Sequence, residues 1–473
     1  MSVSNHPKAY TSAALVVAFT AGICLTLGFK DLYPDLQRRY EQRKRTKEAA
    51  LYGHRESSYL PPVELEDHTK PQTPGPDSPT PPTIQVGIEG LIGQTKLVRI
   101  KSLSEATGCE IVAKAELLNG AGNSPKDRVA LHMIQVAEKE GLLTPYNGDT
   151  IYEGTVGSTG ISLAVLARAK GYKCHICMPS DMSMEKVELL HHLGATVERV
   201  SPAPITSQDH FVNLARRRAK EHAGKWKDGS KGFFANQFES EANWTAHFET
   251  TGPEIFEQTQ GDIAAFVSGA GTGGTLSGVA LYLKQEVGLK DVSIVLADPQ
   301  GSGLYNKVKF GVMYSSHERE GTRRRQQVDT MVEGIGINRL TNNFEKGMEL
   351  IDDAIKVTDT QAMRMARWLV EKDGIFIGSS SAVNCVAAVS TALRLKKEGK
   401  GGRVVTVLCD SGNRHLSKFW KQIASQGLEE EHGNMATFPP RPSMPQTPGR
   451  GVKNLNSVRQ NALRVYITIQ LGG

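Results

Sequence analysis

Lys126 lies in a segment that predicts amine chemistry. It belongs to Ser124-Pro125-Lys126-Asp127, where a serine is followed three residues later by an acid, just before an apolar-periodic run. This spacing is typical of a capping box, and proline fits the first helical position. A lysine in the first helical turn faces the positive end of the helix dipole, which lowers its pKa. Such an amine readily forms a Schiff base with a carbonyl group. The same pattern also fits an ordinary solvent-exposed lysine.

A glycine-rich loop, Gly269–Thr275, lies between an apolar strand pattern and an apolar helix pattern. Small residues at the start of a helix expose backbone N–H groups beside the positive end of the dipole, so the loop predicts a phosphate site. The loop also satisfies the GxGxxG pattern through Gly269, Gly271 and Gly274, and Asp298 ends the next predicted strand. Because this arrangement is typical of dinucleotide binding, a nicotinamide cofactor stays open beside a single-phosphate cofactor.

Two further polar segments follow predicted strands. Thr155–Gly160 combines hydroxyl groups with a predicted helix start, which suits a carboxylate, although a helix cap without a ligand fits equally well. Asp410–Asn413 directly follows the apolar run Val404–Cys409. Polar residues at the carboxyl ends of parallel strands point toward the crevice in which α/β proteins bind ligands. Both segments are therefore candidate parts of a binding site.

In their order and joint chemistry, these segments resemble the cysteine synthase/cystathionine β-synthase family of fold-type II pyridoxal-phosphate enzymes. The resemblance runs from Ile92 to Asn413. Within the family, the chain is most similar to the membrane-anchored cysteine synthases of fungi. Besides the four segments above, the resemblance is carried by Ile92–Val98, Gln237-Phe238, Thr251–Ile255 and Glu333–Gly336.

The resemblance implies a role for each segment. Lys126 would bind pyridoxal 5′-phosphate through a Schiff base and later move the α-proton of the substrate. Ser411 would face the pyridine nitrogen, where a neutral hydroxyl favours β-elimination over transamination. The cofactor phosphate would be bound by Gly271, Thr272, Gly273, Gly274 and Thr275. The substrate carboxylate would be bound by Thr155, Gly157, Ser158, Thr159 and Gln237. No metal is expected.

Three departures from the family pattern bear on activity. Ser158 replaces the usual asparagine that contacts the cofactor's 3-hydroxyl, and Val156 replaces a serine. The shorter side chain of Ser158 would contact the cofactor weakly or through water. The loop before Lys126 is one residue longer than usual, and Lys309–Met331 replaces a shorter loop near the entrance. The run Arg323-Arg324-Arg325 in that loop is expected to be a solvent-exposed face, with steering of an anionic substrate as the alternative.

The resemblance favours cysteine synthesis by β-replacement, in which acetate leaves O-acetylserine and sulfide adds to the resulting aminoacrylate. No haem-binding Cys/His segment precedes the core and no regulatory domain follows it, and either would favour cystathionine synthesis. The alternatives are cystathionine β-synthase-like or serine/threonine dehydratase activity, a nicotinamide enzyme, and a weakly active paralogue, which Val156 and Ser158 suggest. A homodimer is expected.

The elements that must position these residues alternate along the chain. Helical patterns such as Val129–Glu140 and Gln361–Lys372 separate most of the predicted strands. This alternation predicts an α/β fold with mainly parallel sheets and ligand sites at strand C-termini. We expect a catalytic region at 87–431 with two α/β lobes, the smaller at roughly 129–240. The predicted strands are Ile111–Leu117, Thr150–Glu153, Lys173–Met178, Thr196–Val200, Ala264–Ser268, Ser293–Ala297, Ile375–Ile377 and Arg403–Leu408.

The N-terminus predicts a transmembrane helix. Residues 9–29 contain no charged residue and are long enough to span a bilayer, and a basic flank follows from Lys30 to Lys47. By the positive-inside rule, the flank and the catalytic region should face the cytosol. We expect an anchor at 1–34 in the mitochondrial outer membrane; another mitochondrial compartment, the endoplasmic reticulum membrane and a cleaved targeting segment are alternatives. A basic, proline-rich linker at 35–86 and a disordered tail at 432–473 complete the organisation.

Composition excludes several classes of protein. The 473-residue chain is 39% hydrophobic and 22% charged, so it is neither wholly disordered nor fibrous. Its net charge of +6 lies at the ends: residues 1–50 hold eight Lys and Arg against four acids, and residues 433–473 hold five against none. Residues 51–432 therefore carry −3, which argues against nucleic-acid binding.

Six cysteines are too few for a disulfide framework. Cys174 and Cys177, three apart in a predicted strand, should point to opposite sheet faces.

Overall fold

The structure is a computed structural model that describes residues 84–182, 184–225, 229–313 and 330–426. The predicted anchor at 1–34, with its span at 9–29, lies outside these residues, as do most of the linker at 35–86 and the tail at 432–473. Most of the loop at 309–331 is also outside them. Within the described ranges, no helix combines the length and apolarity that a membrane crossing requires.

Ten strands and thirteen α-helices make up the described part of the chain. In chain order the strands are β1 (Leu97–Arg99), β2 (Glu110–Ala115), β3 (Thr150–Gly154), β4 (Lys173–Pro179), β5 (Thr196–Val200), β6 (Gly232–Phe234), β7 (Ala265–Gly269), β8 (Ser293–Pro299), β9 (Asp353–Val357) and β10 (Arg403–Leu408). The helices are α1 (Lys101–Thr107), α2 (Lys126–Lys139), α3 (Ser158–Ala169), α4 (Met184–His192), α5 (Phe211–Lys225), α6 (Glu241–Ala246), α7 (Gly252–Thr259), α8 (Gly274–Leu281), α9 (Leu304–Phe310), α10 (Asn342–Gly347), α11 (Asp359–Asp373), α12 (Ser379–Lys397) and α13 (Lys421–Ser425).

The larger lobe is built on a six-stranded sheet in the order β1-β2-β10-β7-β8-β9. All neighbouring strands are parallel except the short edge strand β1, which pairs antiparallel with β2. The central strands are apolar over nearly their whole length because helices cover both faces. The helices α1, α11 and α12 pack on one face, and α7, α8 and α10 pack on the other. Because β7 and β10 are parallel neighbours, their carboxyl ends lie side by side at the same edge of the sheet.

The smaller lobe is built on a four-stranded parallel sheet in the order β5-β4-β3-β6. These strands are contiguous in sequence and inserted between β2 and β7 of the larger sheet. One face packs against α2, α3 and α4 around Ile151 and Ile176, and the other packs against α5. Cys174 belongs to the first of these cores and Cys177 to the second, so the prediction that they point to opposite faces is confirmed.

The predicted α/β fold with mainly parallel sheets is confirmed, but not every predicted strand is correct. Ile375–Ile377 is not a strand, because only Ile377 forms an isolated antiparallel bridge, to Ser411. The sequence reading also missed β1, β6 and β9. Two of these strands have only three residues, and β9 carries Asp353 and Lys356, so none forms the continuous apolar run that marks the central strands.

Candidate active site

Lys126 is the first residue of α2 and lies half-buried, with Pro125 before it as the helix cap. Burial lowers the pKa of the Lys126 ammonium, while Cys409 and Asp410 act to raise it. Within the described ranges, no acidic side chain forms an ion pair with Lys126. An amine in this setting is the kind that Schiff-base chemistry requires.

The predicted capping box before Lys126 does not form. The Oγ of Ser124 is buried without a hydrogen-bond partner, and its carbonyl accepts from the Asp127 N–H at 3.1 Å. The Asp127 carboxylate instead accepts from the Gly122 N–H at 2.7 Å and from the Ser162 hydroxyl at 2.5 Å. Asp127 therefore fixes the loop before Lys126 against α3, which explains why an acid follows the lysine.

The glycine loop leaves no room for side chains. A Cβ on Gly271 would lie 2.3 Å from the Gly334 carbonyl oxygen, and one on Gly274 would lie 2.0 Å from Asn243 Oδ1. Gly273 has φ of +88°, a left-handed conformation that favours glycine. The first N–H groups of α8, which starts at Gly274, have no acceptor within the helix. The loop therefore forms a small concave surface that suits a phosphate group.

Side chains that the sequence analysis missed hold the two threonines of this loop. Asn243 Nδ2 donates to Thr272 Oγ1 at 3.0 Å, and the Thr341 hydroxyl donates to the Thr272 carbonyl at 2.7 Å. His247 Nε2 and the Thr275 hydroxyl are 3.1 Å apart. Burial lowers the pKa of His247 well below its ordinary value, so this imidazole is neutral. Asn243 and His247 lie just before the Thr251–Ile255 motif, and extending that motif toward the N-terminus would have found them.

The predicted carboxylate-binding residues lie at the start of α3 and directly after β6. Thr155, Thr159 and Gln237 are buried, whereas Gly157 and Ser158 are half-buried. The Thr159 hydroxyl donates to Gln237 Oε1 at 2.6 Å, which joins the two segments.

Val156 and Ser158, the two departures from the family pattern, lie in the same loop. The Val156 side chain is exposed, and the Ser158 carbonyl oxygen lies 3.0 Å from the Ser162 Oγ, whose closer acceptor is Asp127.

Ser411 follows β10 and is half-buried. Its hydroxyl accepts from the Asn413 N–H at 3.3 Å. The neighbouring Asp410 lies 3.0 Å from His415 Nε2, and Arg414 donates to the Gly122 carbonyl. The loop after β10 therefore contacts the loop that carries Lys126.

These contacts bring the predicted residues into one region. Asn243 Nδ2 also donates to the Gln237 carbonyl at 2.6 Å, so the amide of Asn243 joins the segment that holds Gln237 to the glycine loop. Asp410 acts to raise the pKa of Lys126, and Lys126 acts to lower the pKa of His247. The amine, the glycine loop and the loop after β10 thus lie near one another.

The dinucleotide alternative does not fit this geometry. Asp298 is buried at the end of β8, and its Oδ2 accepts from the Tyr305 N–H at 2.7 Å in the first turn of α9. A ribose hydroxyl requires an accessible carboxylate at this position. The GxGxxG pattern is therefore better explained by phosphate binding.

A group of potential metal ligands lies on the opposite face of the smaller sheet. His175, Cys177 and Glu198 place one ligand atom each within 4.8 Å of one another. Glu198, however, already accepts from Arg218 at 2.7 and 3.0 Å and lies 3.1 Å from His175 Nε2. Burial raises the pKa of the Cys177 thiol to about 12, which disfavours the thiolate that a metal binds. The ion pairs of Glu198 with Arg218 and His175 therefore explain why these side chains lie close together without a metal.

Comparison with known proteins identifies the family. The family described as "Pyridoxal-phosphate dependent enzyme" matches residues 88–410, more than half of the chain. The chain belongs to this family.

Among its relatives, cysteine synthase 2 of Neurospora crassa is 67% identical over 443 residues, covering 91% of this chain and 96% of that protein. A putative mitochondrial cysteine synthase of Saccharomyces cerevisiae is 53% identical over 341 residues, covering 72% and 85%. The crystal structure of O-ureido-L-serine synthase aligns with a TM-score of 0.61 at 28% identity, covering 72% of this chain and 96% of that one. The protein is thus a fold-type II, pyridoxal-phosphate dependent enzyme.

The structure of this family member fits its cofactor. Lys126 offers an amine with a lowered pKa, and the glycine loop excludes Cβ atoms where a phosphate would lie. Ser411 offers a neutral hydroxyl at the end of the neighbouring strand β10.

Proposed function

We propose that the protein is a cysteine synthase that replaces the acetate of O-acetyl-L-serine by sulfide. The observation that carries the proposal is the half-buried Lys126 amine, which lies beside the loop after β10 and near the glycine loop. Relatives named cysteine synthase support the choice of reaction. In this reaction the Cβ–O bond to acetate breaks, the Cβ–S bond forms, and the Cα proton is removed and returned.

The proposed roles follow the positions of the side chains. Lys126 holds the cofactor covalently, accepts the substrate's Cα proton and returns it to the product. Ser411 faces the pyridine nitrogen. Pyridoxal phosphate supplies an electron sink for negative charge at Cα. The phosphate is bound by Gly271, Thr272, Gly273, Gly274 and Thr275. The substrate carboxylate is bound by Thr155, Gly157, Ser158, Thr159 and Gln237.

A visible absorbance spectrum before and after borohydride reduction tests the role of Lys126. We expect the purified protein to be yellow, and reduction to fix the cofactor to Lys126. Lys126→Ala should lose this covalent attachment. Lys139→Ala, at the exposed far end of the same helix, is the matched control and should keep it. A colourless protein that binds NADH would contradict the proposal.

The second candidate reaction is another β-replacement or a dehydration, with weak activity as a further outcome. It is favoured by the exposed Val156, which places an apolar side chain in the proposed carboxylate-binding loop. Rates with sulfide, with homocysteine and without an added nucleophile separate cysteine synthesis, cystathionine synthesis and dehydration. The proposal expects sulfide to give the highest rate.

We also propose that residues 9–29 anchor the protein in the mitochondrial outer membrane, with the catalytic region facing the cytosol. The uncharged span, its basic flank and the name of the yeast relative support this location. Alkaline carbonate should leave the full-length protein in the membrane pellet, and its release would contradict the anchor. Protease added to intact mitochondria should remove the catalytic region.

We further propose a homodimer, which analytical ultracentrifugation of the catalytic region tests.

A further inference from the structure

Glu153 is a buried carboxyl group directly behind the proposed substrate loop. It lies near the end of β3, two residues before Thr155, and its side chain is completely buried. Within the described ranges, no Lys, Arg or His forms an ion pair with it. A buried acid without a cation is costly when ionised, so its presence here requires an explanation.

The contacts of Glu153 lead to Gln237 and then to Thr159. The Gln237 side chain donates from Nε2 to Glu153 Oε1 at 3.3 Å, and its backbone N–H donates to Oε2 at 3.4 Å. The same amide accepts from the Thr159 hydroxyl at 2.6 Å through Oε1. Gln237 is therefore held at both ends of its amide, and the second N–H of Nε2 is left for a ligand.

Burial outweighs the hydrogen bonds to Glu153 and favours its neutral form near pH 7. Burial raises its pKa to about 8, and the N–H groups of Gln237, Asn236 and Gly154 only partly oppose this effect. The titratable groups that interact with it from β4 are the thiols of Cys174 and Cys177, and burial raises the pKa of both to about 12. Both thiols are therefore uncharged across the range in which Glu153 titrates.

We infer that Glu153 is a positioning residue that sets the affinity for the substrate carboxylate through Gln237. The neutral acid orients the amide without placing a negative charge behind it. When Glu153 ionises, its charge lies one hydrogen-bonded side chain away from the carboxylate that Gln237 binds, and repulsion in this buried setting weakens binding. The inference rests on the proposed assignment of Thr159 and Gln237 to the substrate carboxylate.

Binding of L-alanine, which has no leaving group, tests this inference in the cofactor-loaded enzyme. The dissociation constant is measured from the absorbance of the bound cofactor at pH 6.5 and at pH 9. The value at pH 9 is divided by the value at pH 6.5, and this ratio is compared between the wild type and Glu153→Gln. We expect this ratio to be about fivefold larger in the wild type than in Glu153→Gln, which is what one pKa unit of coupling gives between these two pH values for a group whose pKa is about 8. With L-alaninamide, which lacks the carboxylate, the two proteins should show equal ratios.

Equal L-alanine ratios in the wild type and Glu153→Gln would overturn the inference, and so would a larger ratio in the variant. A difference that persists with L-alaninamide would also overturn it, since the effect would then be independent of the carboxylate. If Glu153→Gln does not fold, Gln237→Ala serves instead, because removing the connecting amide should also reduce the ratio, and an unchanged ratio would contradict the inference. Failure of L-alanine to change the wild-type spectrum at either pH would instead contradict the proposed function.

Discussion

Lys114 and Glu153 are both buried ionisable residues, but their surroundings differ. The Lys114 ammonium is completely buried and contacts Glu254 Oε2 at 2.5 Å and the Thr95 carbonyl at 2.8 Å. Glu254 also pairs with Arg128, two residues after Lys126, at 2.5 Å. A paired buried charge is tolerated, but removal of its partner leaves an uncompensated ion. The ion pairs that Glu254 forms with Lys114 and Arg128 therefore stabilise the start of the helix that carries Lys126.

Glu254→Gln should lower the free energy of unfolding by about 3 kcal/mol, because Lys114 and Arg128 lose their shared anion. Glu257→Gln, an exposed carboxylate on the same helix, should change it by less than about 0.5 kcal/mol. Urea unfolding of both variants measures the difference. Equal stability of the two variants would show that the network contributes nothing.

Glu153→Gln should change how stability depends on pH. The carboxyl is protonated in the folded protein up to about pH 8, whereas its ordinary pKa is 4.5. Between these values the folded state binds more protons than the unfolded state, so this group makes stability fall as pH rises from about 4.5 to 8. The difference in Tm, variant minus wild type, should therefore increase across this range. A constant difference would mean that Glu153 does not titrate there.

At the scale of elements, the glycine loop and α8 form a unit whose shape depends on backbone packing. Gly271 packs against the carbonyl of Gly334, and Gly273 packs against the backbone of Phe344 at the start of α10. Neither neighbour is the free end of a flexible side chain. A Cβ in the loop must therefore displace backbone that also shapes the proposed phosphate site.

Gly271→Ala should reduce the affinity for pyridoxal phosphate at least tenfold, because its Cβ would meet the Gly334 carbonyl oxygen at 2.3 Å. The matched control is Gly401→Ala, which has no atom within 4 Å of the added Cβ and an ordinary φ. Cofactor titration of the apoenzymes, followed by absorbance, measures both affinities. An unchanged affinity in Gly271→Ala would contradict the assignment of the loop.

The central elements could be predicted from sequence because their burial leaves an uninterrupted apolar pattern. The predicted Arg403–Leu408 agrees with the observed β10, and the predicted Ala264–Ser268 differs from the observed β7 by one residue at each end. The partners of polar groups could not be predicted, because they come from distant segments. Asp127 matched a local capping pattern, yet it bonds to Gly122 and Ser162. Asn243 likewise acts across two loops that no local spacing connects.

At the scale of the whole molecule, one of the ion pairs that join the two lobes lies between Lys186 and Glu333. Lys186 Nζ on α4 of the smaller lobe lies 2.7 Å from Glu333 Oε2, which lies between α9 and α10 in the larger lobe. Burial alone would raise the pKa of Glu333, but Lys186, His415 and Lys418 together hold it below its ordinary value. The pair is mostly shielded from solvent, so salt should weaken it only partly.

A double-mutant cycle of Lys186→Met and Glu333→Gln should give a coupling of about 1 kcal/mol in thermal unfolding. The control cycle uses Arg217 and Glu221, an exposed pair within α5 at 3.8 Å, whose coupling should be below about 0.5 kcal/mol. Couplings of the same size in both cycles would mean that the pair between lobes has no special contribution.

The order of strands in the larger sheet also constrains synthesis of the protein. β10 lies between β2 and β7, so the register that pairs Glu110 with Arg403 cannot form until nearly the whole catalytic region has left the ribosome. The smaller sheet, β3 to β6, is contiguous and can fold much earlier. Lys126 precedes that sheet and Ser411 follows β10. We therefore expect a nascent chain to acquire its cofactor only at the end of translation, long after residues 9–29, the proposed anchor, have left the ribosome.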